Sequence, residues 1–198
     1  MNKVLLFNPR SAKYKPRIPN SILAIASSVE GLFEYVIVDG NMETDPWEKI
    51  HQYLSEGGFG YFGCTGMPGP QLKQAIPVSQ NIRALFPEIK IIWGGYFPSN
   101  QSKVVLSSGY VDFVINGPGE KTFPALLHAL EKNEPFELIH NLIYRSGEQI
   151  IKTPKDELYD PDELPALPYD KLNSFYPLKR YLGKTYLGTK TIAYHSSM

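Results

Sequence analysis

Four short segments of this chain combine glycine or proline with polar residues, and each follows a predicted strand. They are residues 8–14 (NPRSAKY), 64–70 (CTGMPGP), 94–98 (GGYFP) and 116–120 (NGPGE). Glycine lets a backbone adopt positive φ and approach a ligand without interference from a Cβ atom. In a single βα turn this is ordinary, but at three strand ends on one sheet edge it favours a large or flat ligand lying against the backbone.

Familiar catalytic and phosphate-binding motifs do not fit these segments. Residues 117–123 (GPGEKTF) hold only two glycines of a dinucleotide-binding fingerprint, and they follow the fifth strand instead of the first. The phosphate-binding motif GxxxxGK[ST] does not occur in the sequence. A phospho-acceptor receiver needs acidic residues where this chain has Asn8 and Cys64-Thr65. No two carboxylates or histidines share a strand-end loop, and no histidines have metal-ligand spacing. The pattern predicts a binding domain; a nucleotide- or flavin-binding protein is a weaker alternative.

Several single residues admit both a structural and a functional interpretation. Arg10 and Lys13 are candidate partners for a phosphate or amide-bearing ligand, although solvated loop charges are the default. Glu120 has a functional interpretation, but an acidic residue in a first helical turn also complements the helix dipole. Cys64 ends a strand, where a cysteine is more often a small core residue than a reactive thiol.

The elements that must position these segments alternate between strand and helix. Apolar runs at residues 3–8, 35–40, 59–66, 89–95 and 111–117 predict strands, with helical patterns between them. This alternation predicts right-handed βαβ crossovers and a parallel sheet covered on both faces. We therefore expect an α/β, doubly wound, five-stranded parallel sheet over residues 1–133, Rossmann-like and with the flavodoxin-type order 2-1-3-4-5.

The pattern changes after residue 133. Residues 134–153 predict a β-hairpin appendage around Ser146-Gly147, and residues 154–189 predict an extended, proline-rich linker. Residues 190–198 predict one more strand with no partner segment after it, which is typical of a truncated domain.

Composition limits the classes of partner. The 198 residues hold 20 basic and 20 acidic side chains, so nothing in the net charge favours nucleic acid or an anionic membrane surface. No apolar run reaches membrane-spanning length, and the single cysteine fits a reducing compartment. We expect a soluble, cytoplasmic protein without nucleic-acid or membrane partners.

The segments KVLLFNPR, GYFGCTGM, IKIIWGGYFPS and VDFVINGPGEKTF occur in an order that resembles a known family. The chain is similar to the N-terminal cobalamin-binding region of cobalamin-dependent radical S-adenosylmethionine enzymes. The resemblance spans essentially the whole chain. It is most specific at Gly94-Gly95-x-x-Pro98-Ser99, followed about twenty residues later by Gly117-x-Gly119-Glu120.

This resemblance implies that cobalamin lies over the carboxyl edge of the sheet, with its nucleotide tail passing Gly94 and Gly95. The hydroxyl of Thr65 would hydrogen-bond the tail. Many cobalamin domains carry a cobalt-ligating histidine after the first strand, but residues 8–14 contain none. We therefore expect no histidine ligand to cobalt from this loop. Instead, Tyr14, another loop residue or water would lie at the lower face of the cobalamin. The implied cofactor-binding residues are Pro9, Arg10, Tyr14, Thr65, Gly66, Met67, Pro68, Gly94, Gly95, Tyr96, Phe97, Pro98, Gly117, Gly119 and Glu120.

The resemblance also implies the role of the parent protein. Residues 190–198 would be the truncated first strand of a radical S-adenosylmethionine barrel, ending just before a CxxxCxxC loop that holds a 4Fe–4S cluster. The domain would be the cobalamin-binding module of an enzyme that also uses S-adenosylmethionine and a small-molecule substrate. The resemblance favours a methyltransferase over a cyclase. The alternative is a degenerate, cobalamin-free domain used for docking or substrate recognition.

Overall fold

The central feature of the fold, seen in a computed structural model that describes residues 2–12, 16–156 and 163–192, is a parallel sheet. Its strands are β1 (Lys3–Asn8), β2 (Tyr35–Asp39), β3 (Phe59–Thr65), β4 (Lys90–Gly94) and β5 (Phe113–Ile115). They pair in parallel in the order β2-β1-β3-β4-β5. The predicted doubly wound α/β fold and strand order are confirmed.

A hairpin formed by β6 (Leu142–Ser146) and β7 (Gln149–Lys152) extends this sheet to seven strands. The hairpin was predicted, but as an appendage. Instead β6 pairs antiparallel with β5, with Tyr144 opposite Phe113 and the ring of Phe136 packed edge-on against both. Pairing satisfies the backbone groups that β5 would otherwise expose at the sheet edge.

Helices cover both faces of the sheet. They are α1 (Asn20–Val29), α2 (Pro46–Glu56), α3 (Leu72–Leu85), α4 (Tyr96–Asn100), α5 (Ser102–Ser107), α6 (Thr122–Lys132) and α7 (Tyr169–Phe175). Side chains of α1, α6 and α7 join a buried cluster that includes Leu6 and Ile92, whereas those of α2, α3 and α5 join one that includes Phe7 and Trp93. Because neighbouring residues of one strand pack into clusters on opposite faces of the sheet, the strand sequences are continuous apolar runs. No helix within the described ranges is long and apolar enough to cross a membrane.

The proline-rich segment is not extended as predicted. It contains α7, a 3₁₀ helix (Leu178–Tyr181) and a small hairpin of β8 (Gly183–Thr185) and β9 (Gly188–Thr191). Leu172, Tyr176 and Tyr181 are buried. The prolines permit this because Pro168 and Pro177 directly precede the two helices, where a missing backbone N–H costs nothing. Residues 193–198, most of the predicted last strand, lie outside the described ranges.

A buried carboxylate fastens this C-terminal segment to the sheet. Asp39, at the end of β2, accepts hydrogen bonds from Asn8 Nδ2 (2.9 Å), from the Asn41 backbone N–H (3.0 Å) and from the Tyr181 hydroxyl (2.8 Å). Burial raises the pKa of Asp39 above its usual range, although these hydrogen bonds oppose the shift. Since the bonds from Asn8 and Tyr181 hold the end of β2 to β1 and to the C-terminal segment, we assign Asp39 a structural role.

Candidate functional site

A cavity of about 620 Å³ lies on the α1 and α6 side of the sheet, near the carboxyl ends of the strands. Its walls come from α1, from β1, β3, β4 and β5, from residues 117–120 with the start of α6, and from residues 164–167. Small-molecule sites commonly have volumes of about 300–1,000 Å³, and open parallel sheets bind ligands at this edge. The cavity is therefore the candidate site.

The floor of the cavity is apolar, and Gly63 lies in it. This glycine lies between Leu6 and Ile92 on the neighbouring strands. A Cβ atom at Gly63 would lie 2.9 Å from Leu6 Cδ2 and 3.2 Å from Phe123 Cζ. The sequence analysis did not select Gly63, although a glycine inside an apolar strand is a signal for close approach.

Two residues further along β3 and β4, Thr65 pairs with Gly94 at the level of the cavity mouth. Gly94 has an ordinary strand conformation, and among the described residues a Cβ atom there would meet only Ile115 Cβ, at 3.9 Å. Its missing side chain is therefore not required by the packing of the protein. What it does is leave space at the mouth of the cavity.

Gly95 meets a different requirement. Its φ of 93° and ψ of −174° fall in a region that is essentially restricted to glycine. A Cβ atom there would lie 2.9 Å from Thr65 Oγ1 and 3.1 Å from the Gly66 carbonyl oxygen. Gly95 thus allows the chain to turn sharply from β4 into α4 against the end of β3. The two consecutive glycines serve two purposes, space at Gly94 and backbone conformation at Gly95.

Polar groups lie around the mouth. The Oδ1 atom of Asn20, the first residue of α1, is buried and accepts no hydrogen bond from any described residue. Ser21, Thr65 and Glu120 also line the cavity. A buried acceptor without a partner is unfavourable, so this rim is suited to a ligand that offers hydrogen-bond donors.

The structure brings six of the predicted site residues to the cavity wall. They are Thr65, Gly94, Gly95, Gly117, Gly119 and Glu120. The missing side chain of Gly119 allows the 117–120 loop to pack on α1, since a Cβ atom there would lie 2.7 Å from Ile25 Cδ1.

Other predicted residues lie outside the wall. The Arg10 guanidinium donates to the carbonyl oxygens of Gly40 (3.0 Å) and Glu43 (2.5 Å), so it braces two loops instead of pointing to a ligand. The Pro9 carbonyl accepts from Gln71 Nε2 at 3.1 Å.

Of the remaining predicted residues, which follow β3 and β4, some are packed in the protein and others are exposed to solvent. Gly66 and Pro98 are buried against each other, and Phe97 packs with the cluster on the opposite face of the sheet. Met67 and Tyr96 are 50% and 62% exposed at the sheet edge, and Pro68 is exposed beside Met67. Tyr14 lies outside the described residues.

Sequence reasoning missed the contributions of α1 and of residues 164–167 to the cavity. The face of α1 that lines it includes Asn20, Ala24 and Ser27, which lie on one side at helical spacing. Residues 164–167 line the cavity because the segment that directly follows them, α7 and the buried Tyr176, packs against the sheet domain. Neither contact has a local sequence signal. Cys64 also borders the cavity, but burial raises the pKa of its thiol, which keeps it protonated and unreactive.

Comparisons with known proteins give a matching family model and a relative that matches over part of this chain. A family model described as "B12 binding domain" matches residues 16–127, which is more than half of the chain. An anaerobic magnesium-protoporphyrin IX monomethyl ester cyclase from Synechocystis sp. is 33% identical over 73 residues, covering 36% of this chain and 15% of that protein.

Among solved structures, the fold is similar to that of two radical S-adenosylmethionine enzymes. TsrM from Kitasatospora setae, a methyltransferase solved with cobalamin and a [4Fe-4S] cluster, gives a TM-score of 0.69 at 21% identity, over 84% of this chain and 31% of that one. OxsB, solved with aqua-cobalamin and S-adenosylmethionine, gives a TM-score of 0.75 at 18% identity, over 88% of this chain and 25% of that one. The chain thus spans less than a third of each of these proteins.

Proposed function

The chain belongs to the B12 binding domain family, and we propose that it is the cobalamin-binding module of a radical S-adenosylmethionine enzyme, with a methyltransferase as the favoured parent. The observation that carries this proposal is the cavity of about 620 Å³ at the carboxyl edge of the sheet. Its apolar floor and polar rim match the two parts of cobalamin's nucleotide tail, an aromatic base and a sugar phosphate.

Residues of this chain would hold the tail by shape and by hydrogen bonding. Gly94 provides space at the mouth, and Gly63 lets the side chains of Leu6 and Phe123 pack close to the backbone of β3 at the floor. The buried Asn20 Oδ1 would accept a hydrogen bond from a sugar hydroxyl, which removes its unfavourable unpaired state. The hydroxyl of Thr65 would contact the same part of the tail.

The corrin ring would lie outside the cavity, over the sheet edge. Met67 and Tyr96 are exposed there and offer apolar surface, as the sequence resemblance implies for them. Since residues 8–14 contain no histidine, the proposal includes no histidine ligand to cobalt from the first loop.

In the parent protein this module would position cobalamin beside a barrel that holds the 4Fe–4S cluster, S-adenosylmethionine and a small-molecule substrate. When bound, cobalamin supplies the organometallic chemistry, here a transferable methyl group, while the protein supplies binding and orientation. Methyl transfer is favoured by the similarity to TsrM, and ring formation is the alternative suggested by the cyclase relative.

Titration of the purified chain with hydroxocobalamin tests the binding function. We expect a change in the visible spectrum that saturates near one equivalent, and cobalamin that remains with the protein through gel filtration. Flavin mononucleotide titrated in the same way serves as the control, and we expect no binding. A chain that retains flavin but no cobalamin at micromolar concentrations would favour the nucleotide- or flavin-binding alternative and contradict the proposal.

A further inference from the structure

The two levels of the cavity differ in polarity, and the difference bears on which corrinoid the site accepts. Thr65 and Gly94 form one level, and Gly63 with Ile92 lies two residues, about 7 Å, deeper along the strands. On α1, Asn20 and Ser27 are seven residues apart, which places them about 10 Å apart along the helix. Asn20 therefore belongs to the mouth and Ser27 to the floor.

Ser27 is the polar side chain of this floor. It is buried, it lines the cavity, and its hydroxyl donates to the Ala24 carbonyl oxygen at 2.8 Å. The other floor residues, Leu6, Ala24, Ile92 and Phe123, offer no polar side-chain atoms. Among the described residues of this floor, a bound base finds one hydroxyl and no other polar side chain.

The Ser27 hydroxyl has one proton to offer and can redirect it. The hydrogen of a serine hydroxyl rotates about the Cβ–Oγ bond to suit its neighbours, and the Ala24 carbonyl keeps the hydrogen bond of the helix backbone when that hydrogen turns away. The floor can therefore satisfy a base that carries one acceptor nitrogen.

We propose that the cavity selects a corrinoid whose lower base is a benzimidazole, and that Ser27 donates a hydrogen bond to the single free ring nitrogen of that base. This inference rests on the proposed cobalamin function. A benzimidazole bound through one nitrogen to the ribose presents only that one acceptor and an apolar edge. Adenine presents three ring acceptors and an amino group that donates two hydrogens. Most of these would be buried without partners, which is unfavourable.

Binding of three corrinoids to the whole 198-residue chain tests this selection. The probes are cobalamin, the analogue with adenine as its lower base, and cobinamide, which lacks the nucleotide. We expect the adenine analogue to bind the unmodified chain at least about tenfold more weakly than cobalamin, as expected for buried polar groups left unpaired.

A serine variant with a matched control identifies the residue responsible. We expect Ser27→Ala to weaken cobalamin binding about fivefold, the loss of one neutral hydrogen bond, and to leave cobinamide binding unchanged. Ser28→Ala is the control, because the Ser28 hydroxyl makes the same type of bond, to the Ile25 carbonyl at 2.8 Å, yet Ser28 does not line the cavity. The control variant should bind all three corrinoids as the unmodified chain does.

The outcomes separate this inference from the proposed function. Equal affinity of the unmodified chain for cobalamin and the adenine analogue overturns the selection while the cobalamin function stands. An equal loss of cobalamin and cobinamide binding in Ser27→Ala overturns the contact between Ser27 and the base. Failure of all three corrinoids to bind the unmodified chain overturns the proposed function itself.

Discussion

Replacing Gly94 with valine is expected to raise the dissociation constant for cobalamin by about 30- to 150-fold, which corresponds to the ~2–3 kcal/mol cost of overpacking a filled site. The residue has an ordinary strand conformation, and the nearest described atom to a Cβ there is Ile115 Cβ, at 3.9 Å. Valine favours strands, so the free energy of unfolding should change by less than about 1 kcal/mol. The added methyl groups would occupy the mouth through which the nucleotide tail passes. Hydroxocobalamin titration and urea unfolding of the same variant measure the two effects.

Gly183→Val is the matched control for this prediction. Gly183 lies in β8 and does not line the cavity, and no atom of the residues that the structure describes lies within 4 Å of an added Cβ there. The control should bind cobalamin with unchanged affinity. Unaltered binding by Gly94→Val, with the fold intact, would mean that the tail does not pass Gly94.

Replacing Gly95 with alanine is expected to lower the free energy of unfolding by about 3 kcal/mol, the opposite pattern to that of Gly94. The glycine-only backbone region costs about 1–3 kcal/mol for other residues, and the contact of 2.9 Å between the added Cβ and Thr65 Oγ1 increases that cost. Urea unfolding followed by circular dichroism measures the loss.

Gly57→Ala separates the two causes. Gly57 has similar backbone angles, φ 82° and ψ 176°, but no atom lies within 4 Å of an added Cβ. We expect Gly57→Ala to lose about 1–2 kcal/mol, from backbone strain alone. Equal losses at both positions would show that the contact with the end of β3 contributes nothing, and a Gly95→Ala protein as stable as the parent would contradict the tight turn.

The parallel sheet and its order were predictable from the sequence because they follow from local patterns. Apolar runs ending in glycine mark β3 and β4, and the intervening helical periodicity requires parallel crossovers. The strand-end rule then located the candidate site before any contact was known, and Thr65, Gly94 and Gly119 do line the cavity.

What the sequence left open depends on contacts between distant segments. The Tyr181 hydroxyl donates to Asp39, 142 residues away along the chain. This contact helps to pack the proline-rich segment, which the sequence predicted to be an extended linker, against the sheet domain. The same limitation applies to Ser27, whose place at the cavity floor follows from how α1 packs on the sheet. For Gly94 and Gly95 the sequence predicted that glycines were needed, but the two separate reasons required the structure.

A crystal structure of the chain grown with hydroxocobalamin tests the proposed cobalamin site most directly. We predict that the nucleotide tail lies inside the cavity, with its base between α1 and the sheet beside Gly63, its sugar phosphate near Thr65 and Asn20, and its corrin ring over Met67 and Tyr96. A structure in which the corrinoid binds elsewhere, or lies at the sheet edge with its tail outside the cavity, would contradict it.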